Sequence, residues 1–167
     1  MVNIRTQDAP PDSLIAPFAA QAGFHSDCYT CVVSGQVTLA DYVSAFYTTS
    51  LFRAERLVLR VAAGAPSTDV EAQAVASGRA ERFAVWQVEA RRSDEMILAE
   101  RSGRTKSWFK VAAQDADTKL FFGSVVVPVR SKSGAMVLGP VFDSLKGAHG
   151  LYSRALLASA ARRVSNP

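Results

Sequence analysis

The most reactive side chains of this chain are two cysteines three residues apart, Cys28 and Cys31 in FHSDCYTCVVSG (24–35), and two histidines, His25 and His149. A Cys-x-x-Cys pair does redox chemistry when it opens a helix, whose dipole lowers a thiol pKa. Here Val32 and Val33 follow and Ser34-Gly35 closes the run, so residues 28–33 read as a strand. Side chains three apart in a strand point to opposite faces, so the thiols diverge too far for the Cβ separation of a disulfide. A structural zinc usually has four ligands, and no second pair of this spacing accompanies the first. The expectation is two inert thiols, no metal and no cofactor. His25, in the segment leading to the strand, is expected at the surface.

His149 reads differently because it falls on the apolar face of a helical tail. Such a histidine is a hydrogen-bonded core residue, or it supplies the polar contact or general base of an otherwise apolar pocket. Trp86 belongs to an alternation with Ala84, Val88 and Ala90; Phe109 and Val111 form the matching face two strands on, leaving Trp108 between Lys106 and Lys110 on the other. Core packing and pocket lining use the same residues. Glu89 and Glu100 lie on neighbouring expected strands and could meet, though surface charge is the commoner outcome. No phosphate-cradling glycine loop, nucleophile elbow or HExxH motif occurs, and no residue is assigned as catalytic.

The elements that must position these residues follow from periodicity. After a polar, proline-rich start (QDAPPDS) and the strand at 28–33, Thr38 can cap a helix with Leu39, Tyr42, Val43, Phe46 and Tyr47 on one face. The helical spacing continues through Leu51, Phe52, Leu57 and Val61, so residues 38–61 read as a helix pair. Ser67 or Thr68 caps a further short helix ending at Gly78. From residue 81 the rhythm is that of strands: ERFAVWQVEARR, EMILAER, TKSWFKVAA and KLFFGSVVVPVR, separated by short polar turns, form an antiparallel meander. Pro128 marks an edge or bulge in the last. A long helix closes the chain, its stripe including Phe142, Leu145, His149, Tyr152 and Leu156, with Arg162-Arg163 suited to the negative end of the helix dipole. Strand, helices, strands and long helix in that order make an α+β layer with a curved antiparallel sheet packed on the final helix.

A chain of 167 residues with 49% hydrophobic and 20% charged side chains suits a single domain with a substantial core. The expected division is an N-terminal flexible arm over 1–26 and one domain over 27–167. Ala20-Gln21-Ala22 resembles a signal-peptidase site, but Asp8, Asp12 and Pro17 oppose a secretory leader, and a cytoplasmic location is expected. No run of 18 apolar residues suggests a membrane span. The net charge of +4 is scattered without a nucleic-acid-binding motif, so nucleic acid is not an expected partner.

The stretches TLADYVSAFYTTSLFRAERLVLRVAAG, EMILAERSGRTKSWFKVAA and HGLYSRALLASAARR are similar to a group of uncharacterised bacterial proteins in the START and pollen-allergen (SRPBCC) superfamily. The resemblance covers residues 27 to 164 and implies a helix-grip fold with a ligand pocket; His149 falls where that group tends to carry a histidine. The group's Pro-Phe before that histidine and its arginine after it are replaced here by Gly147-Ala148 and Gly150, which removes the basis for an anion contact.

The function expected is binding of a small apolar or amphipathic molecule between the sheet and the final helix, with Trp86, Phe109, Phe121, Phe142, His149 and Tyr152 as lining. An alternative is a small cyclase- or hydrolase-like enzyme with His149 as acid or base. A third is an interaction module whose helix pair, 38–61, docks a partner or a second copy in a homodimer.

Overall fold

The computed structural model describes residues 2–62, 64–131, 133–138 and 140–165, and the side chains of 58, 59, 62 and 140–147 lie outside the description. The elements are β1 (Arg5–Thr6), α1 (Ala16–Ala19), β2 (His25–Ser34), α2 (Leu39–Tyr47), α3 (Ser50–Ala62), α4 (Asp69–Ala76), β3 (Arg82–Phe83), β4 (Trp86–Arg91), β5 (Glu95–Glu100), β6 (Thr105–Gln114), β7 (Asp117–Val126), β8 (Val129–Arg130), β9 (Met136–Val137) and α5 (Pro140–Ser165). β8 and β9 form a separate ribbon, and the other seven strands make one antiparallel sheet in the order β1-β2-β7-β6-β5-β4-β3. The first long strand pairs with the last, so α2 to α4 must carry the chain across one face of the sheet to its far edge. The terminal helix α5 then packs back onto that face, as in a helix-grip fold.

Local chemistry explains the helices. Thr38 caps α2 by accepting from the Asp41 N–H. Thr68 caps α4, and Glu71 reaches back to the Thr68 N–H to complete a capping box. Between α2 and α3 the Thr49 hydroxyl donates to Phe46 O and accepts from Phe52 N, so the buried break in the helix pair leaves those groups satisfied.

Sheet residues alternate between two apolar environments. On the inner face Met96, Leu98, Phe109, Leu120 and Phe122 meet Tyr42, Phe46 and Tyr47 of α2 and Leu156, Leu157, Ala160 and Ala161 of α5. Phe46 is the hub, with ring centroids 4.7 Å from Phe122 and 4.8 Å from Phe109. On the outer face Cys28, Ile97, Trp108, Phe121 and Val125 are covered by Ile15, with Leu14, Phe18 and Phe24 packed against them. Residues 2–26, expected as an arm, thus contribute β1 and roof the second face. Gly123 makes this possible, because a Cβ there would stand 2.7 Å from Ile15 Cδ1 and 2.8 Å from the Asp27 carbonyl.

Cys28 belongs to the outer cluster and Cys31 to the inner one, so the two thiols point away from each other as the strand alternation requires. Segment 81–92 is a hairpin rather than one strand. It reverses at Ala84, which takes φ +50°, and the reversal lets both Phe83 and Trp86 reach the interior. Among the described residues no helix is long and apolar enough to cross a membrane.

Candidate functional site

The inner face changes character along its strands. Toward one end its residues are Leu120, Phe122, Met96 and Phe109; toward the other they become Ser124 on β7, Thr105 and Ser107 on β6, and Glu100 on β5. A helix packing evenly on the apolar end cannot close on the shorter polar side chains, and a cavity of about 280 Å³ lies there. Its floor is Phe122, Ser124, Ser107 and Glu100; its walls are Trp86, Phe46, Phe52 and Glu55; and its roof on α5 is His149, Tyr152 and Leu156.

Three polar features stand in this wall. The Tyr152 hydroxyl donates to Glu55 Oε2, joining α5 to α3. Burial raises the Glu55 carboxyl above its usual range, with the Tyr152 hydrogen bond opposing, and burial together with Glu55 pushes the Tyr152 phenol up. Trp86 is 7% exposed, and its indole Nε1 is buried without a hydrogen-bond partner. That open donor is unusual, since buried polar groups are nearly always paired.

The third feature is a serine, histidine and carboxylate cluster. Asp27 Oδ1 accepts from both the Ser124 backbone N–H and the Ser124 hydroxyl, each at 2.8 Å. The same hydroxyl oxygen is 2.8 Å from His149 Nε2, and Asp27 Oδ2 is 3.5 Å from that nitrogen. Because the single serine proton goes to the carboxylate, Nε2 is the donor toward Ser124; the tautomer follows from the network. A hydrolytic triad needs the opposite arrangement, with a bare imidazole nitrogen facing the serine and the carboxylate on the other ring nitrogen. The cluster instead anchors α5 to β2 and β7. Burial alone would raise the Asp27 carboxyl, but hydrogen bonds from His149 and Ser124 outweigh it and hold the group below its usual value.

Of the residues expected to line a pocket, Trp86, His149 and Tyr152 come together in the cavity wall. Phe109 is in the inner core beneath α2, not among the lining residues, and Phe121 packs on Trp108 on the outer face, its centroid 5.9 Å away. The parity of β7 decides this, since Phe122 rather than Phe121 shares a face with Leu120. The side chain of Phe142 lies outside the described residues. Glu89 and Glu100 do not meet. Glu89 sits at the β4 bulge and pairs with Lys106, while Glu100 accepts from the Ser102 N–H and hydroxyl.

Asp27, Glu55 and Ser124 were not singled out from sequence, although Ser124 and Glu55 each interrupt a pattern. Ser124 breaks the Leu120, Phe122 alternation, and Glu55 follows Phe52 by three residues on one helical face. Gly150 has a packing role, because a Cβ there would lie 2.9 Å from the Tyr29 hydroxyl. Comparison of the chain with family models, curated proteins and solved structures finds no match.

Proposed function

We propose that the protein binds a small amphipathic molecule in the cavity between the sheet and α5. The observation that carries this reading is the mainly apolar cavity itself, whose wall includes Trp86 with an indole Nε1 buried and unpartnered. A site of this kind, apolar with a few convergent polar groups, is the common form of a small-molecule pocket. Its volume of about 280 Å³ lies at the lower end of the roughly 300–1,000 Å³ usual for such sites, which suits one ring or a short chain rather than a lipid. The reading includes a helix-grip protein of SRPBCC type working in the cytoplasm.

An enzyme is the second reading, and Glu55 favours it more than His149 does. His149 Nε2 is engaged with Ser124 and Asp27, whereas burial raises the half-buried Glu55 carboxyl above its usual range, the kind of perturbation that marks general acids and bases. The helix pair 38–61 supports a docking role less well. Leu39, Tyr42, Val43, Ala45, Phe46 and Tyr47 of α2 are interior, which leaves Leu57 and Val61 of α3 as the exposed large apolar side chains among the described residues of the pair.

An apolar fluorescent probe tests the binding reading. Uptake should shift Trp86 emission, and Tyr152→Ala should alter probe affinity more than stability. A folded protein that takes up no probe, with Tyr152→Ala showing only a loss of about 3 kcal/mol or more typical of a truncated core aromatic, removes the reading.

A further inference from the structure

The chain carries 19 lysines and arginines against 15 acidic residues. Most of the buried and half-buried carboxylates among the described residues have a basic neighbour. Asp69 pairs with Arg53 and Arg56, Asp94 with Lys110, Glu95 with Arg92, and Asp27 faces His149. Glu55 and Glu100 are different. Among the described residues neither has a cationic partner, and their polar contacts are with Tyr152 and Ser102. Asp117, at the β6–β7 hairpin, is the other such carboxylate among the described residues, and it is remote from the cavity. Two carboxylates without a counter-charge among the described residues therefore line one small cavity in a basic protein. Desolvating a carboxylate without a cation is costly, and a retained cost of this kind is removed when a positive charge arrives.

The rest of the wall narrows the chemistry. The rings of Phe46, Phe52, Phe122 and Trp86 suit an apolar body, and aromatic faces also attract an organic ammonium. The open Trp86 Nε1 calls for a neutral acceptor on the same molecule. A bare metal ion fits less well, since calcium takes six to eight oxygen ligands and magnesium near-octahedral ones.

We propose that the cavity takes a small organic cation, an amphipathic amine that also bears a hydroxyl or carbonyl, with its ammonium toward Glu55 and Glu100 and its acceptor on Trp86. This rests on the binding reading above and specifies its ligand class. Burial raises the Glu55 carboxyl, and an ammonium bound beside it favours the charged form.

Three probes that share one apolar body and one hydroxyl separate the possibilities: phenylethanolamine, phenylethanediol and mandelate, which are cationic, neutral and anionic at neutral pH. Calorimetric titration of the full chain should rank phenylethanolamine first by at least about tenfold over the diol, with mandelate weakest, as expected for a hydrogen bond to a charged partner. Glu55→Gln and Glu100→Gln should each reduce amine affinity about tenfold while leaving diol affinity unchanged. The Trp86 indole N–H resonance should move with both amine and diol. Because Gln keeps an acceptor and removes a half-buried charge, both variants should unfold at or above the native temperature. Equal affinity for amine and diol, or preference for mandelate, refutes the cation while leaving a binding cavity. Failure of all three to bind refutes both.

Discussion

Glu95 is 1% exposed on β5, and its carboxylate joins three parts of the chain. Oε2 accepts from the Trp108 indole at 2.8 Å and from the Leu14 N–H at 2.9 Å, while Oε1 accepts from Arg92 at 2.7 Å. Arg92 in turn donates to the Asp12 carbonyl, so the N-terminal segment is tied to the outer face at two points. In Glu95→Ala the Trp108 and Leu14 donors lose their acceptor under the Ile15 roof, at about 1–3 kcal/mol each. The Arg92 side chain is 53% exposed and re-solvates, so it adds little. With the void left by the side chain the expected loss is about 3–5 kcal/mol, a large part of the roughly 5–15 kcal/mol that holds a typical domain together. Glu95→Gln keeps a carbonyl oxygen for the two N–H groups and should cost only about 1 kcal/mol. Urea titrations of the three proteins, with unchanged m-values, measure both differences. An alanine variant within about 1 kcal/mol of the parent, or a glutamine variant as unstable as alanine, would show that this carboxylate does not hold the segment down.

Gly123→Ala forces a methyl against Ile15 Cδ1 and the Asp27 carbonyl, and overpacking of this kind should cost about 1–3 kcal/mol, seen as a lowered midpoint in thermal unfolding; an unchanged midpoint would mean that Ile15 does not pack there. Asp27 titrates below its usual value in the fold, so its contribution is fully present above about pH 4 and disappears as the pH falls through the lower, folded value. Asp27→Asn should therefore flatten the acid side of the stability curve, which denaturant titrations from about pH 2 to pH 6 will record; a curve parallel to the parent's contradicts the assignment. Burial pushes both thiols up to about 12, with Asp27 adding to the effect at Cys28, so a thiol-specific dye at mild alkaline pH should label neither cysteine before urea is added and both afterwards. One rapidly labelled thiol, or a 28–31 disulfide in mass spectrometry, is the contrary result.

Much of this architecture is determined locally and can be read without coordinates. The caps at Thr38 and Thr68, the helix pair, the meander and the terminal helix all follow from side-chain period and turn chemistry, because those act over a few neighbouring residues. The opposed thiols of β2 follow from strand alternation in the same way. His149, Tyr152 and Trp86 were visible as polar or amphipathic groups in apolar patterns.

Which aromatic faces the cavity was decided by tertiary register. Leu120 opposes Cys31 and Val111, and that pairing turns Phe122 inward and Phe121 outward. Local patterning cannot separate two adjacent phenylalanines in a strand buried on both faces. It cannot show that both faces are buried either, because the roof over Trp108 comes from residues 2–26, whose polar composition alone suggests an arm. The meeting of Glu55 with Tyr152 joins residues 97 positions apart, as does that of Asp27 with Ser124. Desolvated charge of this kind depends on what the whole fold excludes from water, and no segment carries that information by itself.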